Sequence, residues 1–267
     1  MFEINASVLT HAGKVRTNNE DSVSLVRPSD KSVMSSRGVL ALIADGMGGH
    51  EGGEFASKLA VEGIVRSYYG SIATPPAALQ DAFRDANRAI YRAAKKNPSL
   101  KGMGTTCVAV AVCDDQAWWA WVGDSRLYLL RDGTAYRMSE DHTVVQELVR
   151  RGLLPPEEAC NHPDRSVLER AIGTRDRVET ALGAQAIQLA PGDRLLLCSD
   201  GLHDLMDEAE IAECARAGPV ADCTEALLHV ALERGGFDNV SIILLEVKPE
   251  LATHRRPPVI TREHIVE

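Results

Sequence analysis

The sequence predicts an α+β fold in which antiparallel sheets carry helices on their outer faces. Three observations predict it: candidate strands come in runs, two amphipathic helices follow each other directly, and a second pair of helices follows near the end of the chain. Strands joined by short turns pair antiparallel, whereas a parallel sheet needs βαβ repeats, which are not evident here.

The first part of the chain is predicted to form strands and then a pair of helices. The strands are expected at 2–9, 22–26 and 39–44. Residues 28–37 are expected to form a polar loop. Helices are predicted over 51–69 and 76–96, because apolar residues recur there at helical spacing and Pro75-Pro76 stands at the start of the second.

The remaining strands are predicted at 105–112, 117–122, 126–131, 134–138, 194–198 and 240–247. Helices are expected over 207–217 and 220–234. Between these elements, residues 143–176 are charged and interrupted by proline, so we expect an insertion with short helices that acts as a flap over one edge of the sheet. Residues 1–248 would form the domain, and 249–267 a disordered tail.

Composition narrows the class of protein. The chain has 267 residues, 45% of them hydrophobic and 25% charged, as in ordinary globular proteins. A net charge of -9 without a basic run argues against a nucleic-acid partner. The six cysteines form no CxxC motif, which is typical of free thiols in a reducing compartment. The N-terminus does not have the pattern of a signal peptide, and no apolar run is long enough to span a membrane. We therefore expect a cytoplasmic protein with no membrane partner.

Acidic residues stand at the ends of the predicted strands. Asp45 and Asp200 each close an apolar run and are followed by glycine, Asp124 follows a Trp-rich strand, and Asp238 opens the last strand. A carboxylate at the end of a buried strand is held rigidly, and several of them together form the all-oxygen site that Mg²⁺ or Mn²⁺ prefers. This pattern favours hydrolysis of phosphate esters.

Two loops near these acids have open interpretations. In RTNNED, Arg16 can hold a phosphate dianion while Glu20 and Asp21 add oxygens to the metal site, directly or through water; alternatively the loop is only a solvated turn. Gly46 lets its carbonyl oxygen approach a cation because no Cβ obstructs it, but it is equally consistent with a structural turn.

Seven blocks in order carry a family resemblance: RTNNED, ALIADGMGGHEGG, GMGTT, WVGDSR, SEDHT, LCSDGL and GGFDNVS. Together they resemble the signature blocks of the protein phosphatase 2C (PPM) family of metal-dependent Ser/Thr phosphatases, and especially its bacterial members. The resemblance spans residues from about 5 to 247. It implies a β-sandwich of two antiparallel sheets with a pair of helices on each outer face, and a dinuclear Mn²⁺ or Mg²⁺ site in a cleft at one end.

The resemblance also implies roles for the acidic residues. Asp45 would bridge two cations, Asp200 and Asp238 would bind one of them, and the carbonyl of Gly46 the other. Asp124, together with Asp200, would hold a third, weaker cation. Mn²⁺ and Mg²⁺ stay open as alternatives, because both accept octahedral oxygen sites.

The remaining matched residues complete the implied mechanism. Arg16 matches the phosphate-binding arginine, and Glu20 and Asp21 would serve as ligands or support them. A hydroxide shared by the two cations would attack phosphorus in line, with no covalent phosphoenzyme. The implied partners are phosphorylated Ser/Thr proteins, including a cognate bacterial Ser/Thr kinase that the phosphatase opposes, and we expect a monomer.

One position departs from the family pattern. Met47 stands where many eukaryotic relatives carry the histidine proposed as general acid. His50 and His142 are the nearest substitutes, although an ordinary loop or strand-end histidine is the favoured interpretation of each. The general acid therefore stays open, and a metal-bound water is a further candidate.

Two other functions compete with an active phosphatase. One is a catalytically silent regulatory domain that binds phosphoproteins, and the other is a different two-metal phosphoester hydrolase such as a phosphodiesterase. The first is disfavoured because all five matched aspartates are present, namely Asp21, Asp45, Asp124, Asp200 and Asp238.

Overall fold

Two antiparallel sheets form the centre of the molecule. A computed structural model describes residues 2–48, 52–159, 161–216 and 218–249. The strands are β1 (Phe2–His11), β2 (Asp21–Val26), β3 (Val39–Met47), β4 (Gly104–Thr105), β5 (Cys107–Cys113), β6 (Gln116–Val122), β7 (Arg126–Arg131), β8 (Thr134–Arg137), β9 (Ala181–Leu182), β10 (Ile187–Gln188), β11 (Arg194–Cys198) and β12 (Val240–Pro249). The α-helices are α1 (Lys31–Arg37), α2 (Gly52–Gly70), α3 (Pro75–Lys96), α4 (Val144–Arg150), α5 (Pro156–Ala159), α6 (Asp200–His203), α7 (Glu208–Ala215) and α8 (Val220–Glu233), with a 3₁₀ turn at Pro98–Leu100.

The first sheet has the strand order β1-β12-β11-β7-β8, and the second has the order β10-β6-β5-β3-β2. Two short strands extend the second sheet, with β4 pairing with β3 and β9 with β6. All strand pairs described are antiparallel. The register of β2 and β3 places Asp21 directly opposite Asp45.

Three apolar layers hold these elements together. Ile43 of β3 belongs to the layer between the sheets, whereas its neighbour Leu42 packs outward against helices α2 and α3 through Ile64 and Phe83. On the other side, the first sheet packs against α7 and α8. Central strands are therefore apolar along their whole length, because both faces of each sheet are covered. The predicted sandwich with a helix pair on each outer face is confirmed.

Two local predictions were wrong. The expected polar loop at 28–37 contains helix α1, because the carboxylate of Asp30 accepts hydrogen bonds from the backbone N–H groups of Ser32 and Val33 at 2.8 and 3.0 Å and so caps the helix. Strand β3 continues beyond residue 44 to Met47, because Gly46 pairs with Thr105 of β4.

The predicted insertion contains α4 and α5, which lie in the segment that the bridge between Thr143 and Leu168 closes. A second bridge joins the insertion to the sheet through Ile172 and Thr105. The predicted tail lies outside the described residues from 250 onward. No helix in the described ranges is long and apolar enough to cross a membrane.

Candidate functional site

A cleft of about 820 Å³ opens at one end of the sandwich. Seven of the eight residues predicted from the sequence line it: Arg16, Glu20, Asp45, Gly46, Asp124, Asp200 and Asp238. The eighth, Asp21, is buried beside them, with 8% of its surface exposed. The structure therefore brings together residues that are more than 200 positions apart in the chain.

Both sheets contribute to this cluster. Asp21 and Asp45 face each other on β2 and β3 of the second sheet, and Asp124 follows β6 of the same sheet. Asp200 opens α6 directly after β11, and Asp238 precedes β12, so both come from the first sheet. The cleft lies where the ends of the two sheets meet, which is why its acids come from distant parts of the sequence.

Two close backbone contacts require the glycines that follow Asp45 and Asp200. A Cβ on Gly46 would lie 2.1 Å from the carbonyl oxygen of Gly53, and one on Gly201 would lie 2.1 Å from that of Asn239. These distances are far below van der Waals contact, so a side chain at either position would push the acidic residue beside it out of place.

Crowding of the carboxylates changes their proton affinities. Removal from bulk water raises the pKa of Asp45 well above its usual range, and repulsion from Asp200, Asp21 and Asp124 raises it further. Burial raises the pKa of Asp21 to about 7, although hydrogen bonds from Ser241 and Ser199 act in the opposite direction.

The pKa values of the two remaining buried acids are raised as well. Burial is the main cause for both Asp124 and Asp200, and for Asp124 the charge of Asp200 adds to it. At neutral pH and without a counter-charge, this end of the protein therefore holds protons that a divalent cation would displace.

The donor set fits hard cations. Oδ1 of Asp21 and Oδ1 of Asp200 are buried atoms without a hydrogen-bond partner. An uncompensated buried carboxylate oxygen is costly, and coordination to a cation is one of the ways in which proteins satisfy it. Among the described residues, no three Asp, Glu, His or Cys side chains are already spaced as a finished coordination shell. A divalent cation at this cluster would offset the repulsion among the carboxylates.

Arg16 forms an ion pair with one of the predicted metal ligands. Its guanidinium donates to Oδ2 of Asp238 at 2.6 Å, while 58% of the arginine side chain stays exposed to the cleft. The hydrogen bond to Asp238 and the charge of that residue raise the pKa of Arg16. The predicted phosphate-binding residue is thus at the cleft, next to the acids, with most of its side chain accessible.

His142 is the one sequence candidate for the general acid that the structure describes, and its surroundings do not fit that role. His142 lies outside the cleft lining, stacks on Trp121 at 5.9 Å between ring centroids, and accepts a hydrogen bond from the backbone N–H of Gly123. Burial lowers its pKa to about 4, so the ring is neutral at physiological pH. The ordinary strand-end interpretation of His142 is the one that fits. His50 lies outside the described residues.

Sequence reasoning missed several residues that build the site. The side chain of Asn239 accepts from the backbone N–H of Glu20 at 2.8 Å and donates to the carbonyl oxygens of Ala12 and Asn18 at 3.0 and 2.9 Å. It thereby ties the loop that carries Arg16 to the loop that carries Asp238. The Asp-Asn pair in GGFDNVS was the available signal, but only its first member was interpreted.

Two hydroxyl groups were also missed. Ser199 Oγ donates to Oδ2 of Asp21 at 2.9 Å and accepts from the backbone N–H of Ser241, which joins the ends of the two sheets under the cleft. Thr106 Oγ1 accepts from the backbone N–H of Asp45 at 3.1 Å. Ser199 therefore orients the carboxylate of Asp21, and Thr106, which itself lines the cleft, fixes the backbone of Asp45.

A second cavity of about 480 Å³ adjoins the cleft and shares Asp124, Ser166 and Asp200 with it. His203, also missed, lies in its wall with 3% of its side chain exposed, and its Nε2 lies 3.0 Å from the carbonyl oxygen of Asp124. Arg165 and Ser166 of the predicted flap line the same cavity. The flap region is therefore in contact with the acidic end of the sandwich.

Comparisons with known proteins agree with this arrangement. The Protein phosphatase 2C family model matches residues 11–235. Protein phosphatase PhpP of Streptococcus pneumoniae is 34% identical over 249 residues, which are 91% of this chain and 98% of PhpP. Serine/threonine protein phosphatase PstP of Mycobacterium tuberculosis is 40% identical over 239 residues, which are 88% of this chain and 43% of PstP.

Solved structures show the same fold. The crystal structure of the catalytic domain of PstP in complex with two manganese ions superimposes with a TM-score of 0.80 at 35% identity, covering 93% of this chain and all of that one. A Streptococcus agalactiae serine/threonine phosphatase superimposes with a TM-score of 0.82 at 32% identity, covering 92% of this chain and 100% of that one. With its fold, its acidic cleft and these similarities, the chain belongs to the protein phosphatase 2C family.

Proposed function

We propose that this protein is a metal-dependent protein serine/threonine phosphatase that hydrolyses phosphoserine and phosphothreonine monoesters on proteins. The observation that carries the proposal is the convergence of Asp21, Asp45, Asp124, Asp200 and Asp238 at one end of the sandwich, with buried carboxylate oxygens that lack partners. The similarity to PhpP and PstP, both named as protein phosphatases, supports the same function.

Mn²⁺ or Mg²⁺ is the proposed cofactor. Asp45 would bridge two cations, Asp200 and Asp238 would hold one, and the carbonyl of Gly46 the other. Asp124, with Asp200, would hold a weaker third cation. When bound, such cations polarise a phosphoryl group and lower the pKa of coordinated water. The manganese ions named for the PstP catalytic domain support this assignment.

The chain's own residues prepare the cleft for a dianionic substrate. Arg16 would neutralise phosphoryl oxygens with a two-pronged hydrogen bond, for which its exposed position is suited. A cation on Asp238 would compete with Arg16 for that carboxylate and so free the guanidinium for phosphate. Ser199 keeps Asp21 oriented from below, and Glu20 and Asp21 would complete or support the metal ligands.

The biological setting is part of the proposal. The protein would act in the cytoplasm of a bacterium, as a monomer, and oppose a Ser/Thr kinase in signal transduction. Its catalytic domain would span 1–248, and the flap at 143–176 would contact the protein substrate, because Ser166 and Leu168 line the cleft.

An assay of phosphate release tests this function. With phosphoserine and phosphothreonine peptides we expect hydrolysis that requires added Mn²⁺ or Mg²⁺ and stops in excess chelator. A bis-ester substrate should stay intact, because a phosphodiesterase would cleave it and a monoesterase would not. Full activity in the presence of chelator would overturn the metal-dependent mechanism, and inertness towards every phosphopeptide would favour a silent binding domain.

A further inference from the structure

Two large apolar side chains are exposed directly before residues that line the cleft, Val15 before Arg16 and Phe237 before Asp238. Val15 and Phe237 each have 62% of their surface exposed to solvent. A single exposed apolar residue is ordinary on a protein surface, but neighbouring ones next to a binding cleft usually mark a contact surface. Neither side chain belongs to the three apolar layers of the fold, so folding does not account for them.

The loops that carry these two residues run in direct contact. The backbone N–H of Lys14 donates to the carbonyl oxygen of Gly236 at 2.7 Å. One residue further along each loop come Val15 and Phe237, and one residue beyond those, Arg16 and Asp238 form the 2.6 Å ion pair. Val15 and Phe237 are therefore held between two fixed contacts, at the edge of the cleft where phosphate is expected to bind. We call this pair the apolar rim.

The backbone around Phe237 favours an exposed ring. Gly235 has a φ of 122°, and a Cβ at that position would lie 2.4 Å from the ring atoms Cε2 and Cζ of Phe237. The aromatic ring thus rests against the bare backbone of a glycine and presents its remaining surface to solvent. An aromatic side chain held in this way loses little conformational entropy when a ligand covers it.

We propose that the apolar rim binds an apolar side chain next to the phosphoserine or phosphothreonine of the protein substrate. This inference rests on the proposed phosphatase function. Consecutive Cα atoms of an extended peptide are about 3.8 Å apart. Val15 and Phe237 directly precede the ion-paired Arg16 and Asp238, so with the phosphate on Arg16 a peptide side chain one or two residues away would come within reach of them. An apolar side chain there is removed from water, whereas a small or charged one gains nothing.

Matched phosphopeptides test the proposal with the Mn²⁺-loaded full chain. The peptides differ only in whether leucine or alanine stands at one position within three residues of the phosphoresidue. We expect the wild type to prefer leucine over alanine at one or more of these positions by about tenfold in kcat/KM, the scale of one partly buried apolar side chain. The ratio is measured within each variant, so a general change in activity cancels.

Substitutions then assign the preference to the apolar rim. Phe237→Ala should reduce the leucine-to-alanine ratio to below about threefold, and Val15→Ala should reduce it in part. Ile72→Ala removes a fully exposed apolar side chain from the loop between α2 and α3, in another part of the chain, and should leave the ratio unchanged.

Several results would overturn the proposal. Hydrolysis of all peptides by the wild type with equal kcat/KM would reject the apolar rim and leave the phosphatase function intact. A preference that persists unchanged in both rim variants would place the selectivity elsewhere. Self-association that Phe237→Ala abolishes, with no peptide preference, would assign the surface to a second copy of the chain. Inertness of the wild type towards all phosphopeptides would remove the proposed function itself.

Discussion

The buried aspartates of the cleft lie close enough together to raise one another's pKa values. Asp45 is surrounded by Asp21, Asp124, Asp200 and Asp238, and each of these raises its pKa. Without a cation, this cluster opposes folding, because like charges and desolvation both disfavour the ionised form. Such a cost in folding free energy is expected at a site whose carboxylates bind a ligand and do not stabilise the fold.

Asp45→Asn should abolish activity while the protein stays folded. We expect a loss of phosphopeptide hydrolysis of about 10²-fold or more, because the substitution removes the central negative ligand. In chelator, the melting temperature should be equal to or higher than that of the wild type, because one repelling carboxylate is gone. Calorimetry and thermal melts check this. The exposed Asp115→Asn is the control. Wild-type turnover in Asp45→Asn would show that the metals bind elsewhere.

Arg16→Ala should raise KM for phosphopeptides by roughly tenfold and spare Mn²⁺ affinity. The guanidinium addresses phosphate, and its loss also frees Asp238, so Mn²⁺ should bind at least as tightly as before. Steady-state kinetics and calorimetry measure the two effects, with the exposed Arg66→Ala as the matched control. Lost Mn²⁺ binding with an unchanged KM would contradict the assigned role.

Asp21 makes the stability of the metal-free protein depend on pH. Burial raises the pKa of Asp21 to about 7 in the folded state from its ordinary value of 3.8, so between these pH values the folded state binds more protons than the unfolded state. Its contribution to stability is therefore present at low pH and is lost as pH rises from about 4 to about 7.

Comparison with Asp21→Asn isolates this contribution. In chelator, the variant should become progressively more stable relative to the wild type as pH rises through this window. Melting temperatures of both proteins at several pH values measure the effect. A stability difference that does not change between pH 4 and 7 would mean that Asp21 titrates normally.

At the scale of elements, the loops before β2 and β12 depend on one buried amide. The three hydrogen bonds of Asn239 connect the segment from Ala12 to Glu20 with the start of β12. These two loops carry Arg16 and Asp238, so their relative position sets the geometry of the phosphate site. Asn239 is only 6% exposed, and an unpaired partner left behind there would be costly.

Asn239→Ala should destabilise the protein by about 3 kcal/mol, at about 1 kcal/mol for each lost hydrogen bond. It should also raise KM for phosphopeptides, because the loop with Arg16 is no longer fixed. Denaturant unfolding and steady-state kinetics test both effects. Asn97→Ala, which removes an exposed cap of a short 3₁₀ turn, should change neither KM nor Mn²⁺ binding. Unchanged stability in Asn239→Ala would show that the loops are held by other contacts.

Helices and strands with a regular spacing of apolar residues could be predicted from the sequence. Elements that depend on pairing with a distant part of the chain could not. Helix α3 was predicted to within one residue, because its apolar spacing and its prolines are local signals. The extension of β3 through Gly46 and Met47 depends on β4, about 60 residues later, which no local pattern indicates. Helix α1 was missed because a single capping carboxylate decides such a short segment.

At the site, too, residues with a local sequence signal were found, and residues that act through contacts across the fold were missed. Strand-end aspartates such as Asp45 and Asp200 were found from sequence, since a carboxylate after an apolar run is a local signal. Ser199, Thr106 and Asn239 were missed because their roles come from hydrogen bonds across the two sheets. Their residue types are common in turns, so only the fold distinguishes them.

For the whole molecule, the sandwich explains why the acids can meet. Two sheets packed face to face present strand ends at a common edge, and the helix pairs outside leave that edge open. The acidic cluster thus rests on elements buried on both faces, which keeps ligands precise despite their mutual repulsion.

Diffraction from crystals grown with Mn²⁺ tests the central claim most directly, since anomalous scattering locates the metal. We predict two peaks in the cleft, both within coordination distance of Asp45, with Asp200 and Asp238 on one ion and the carbonyl oxygen of Gly46 on the other. Crystals of Asp45→Asn grown in the same way should lose at least one peak. Manganese bound only outside this cleft, in a protein that hydrolyses phosphopeptides with Mn²⁺, would contradict the account.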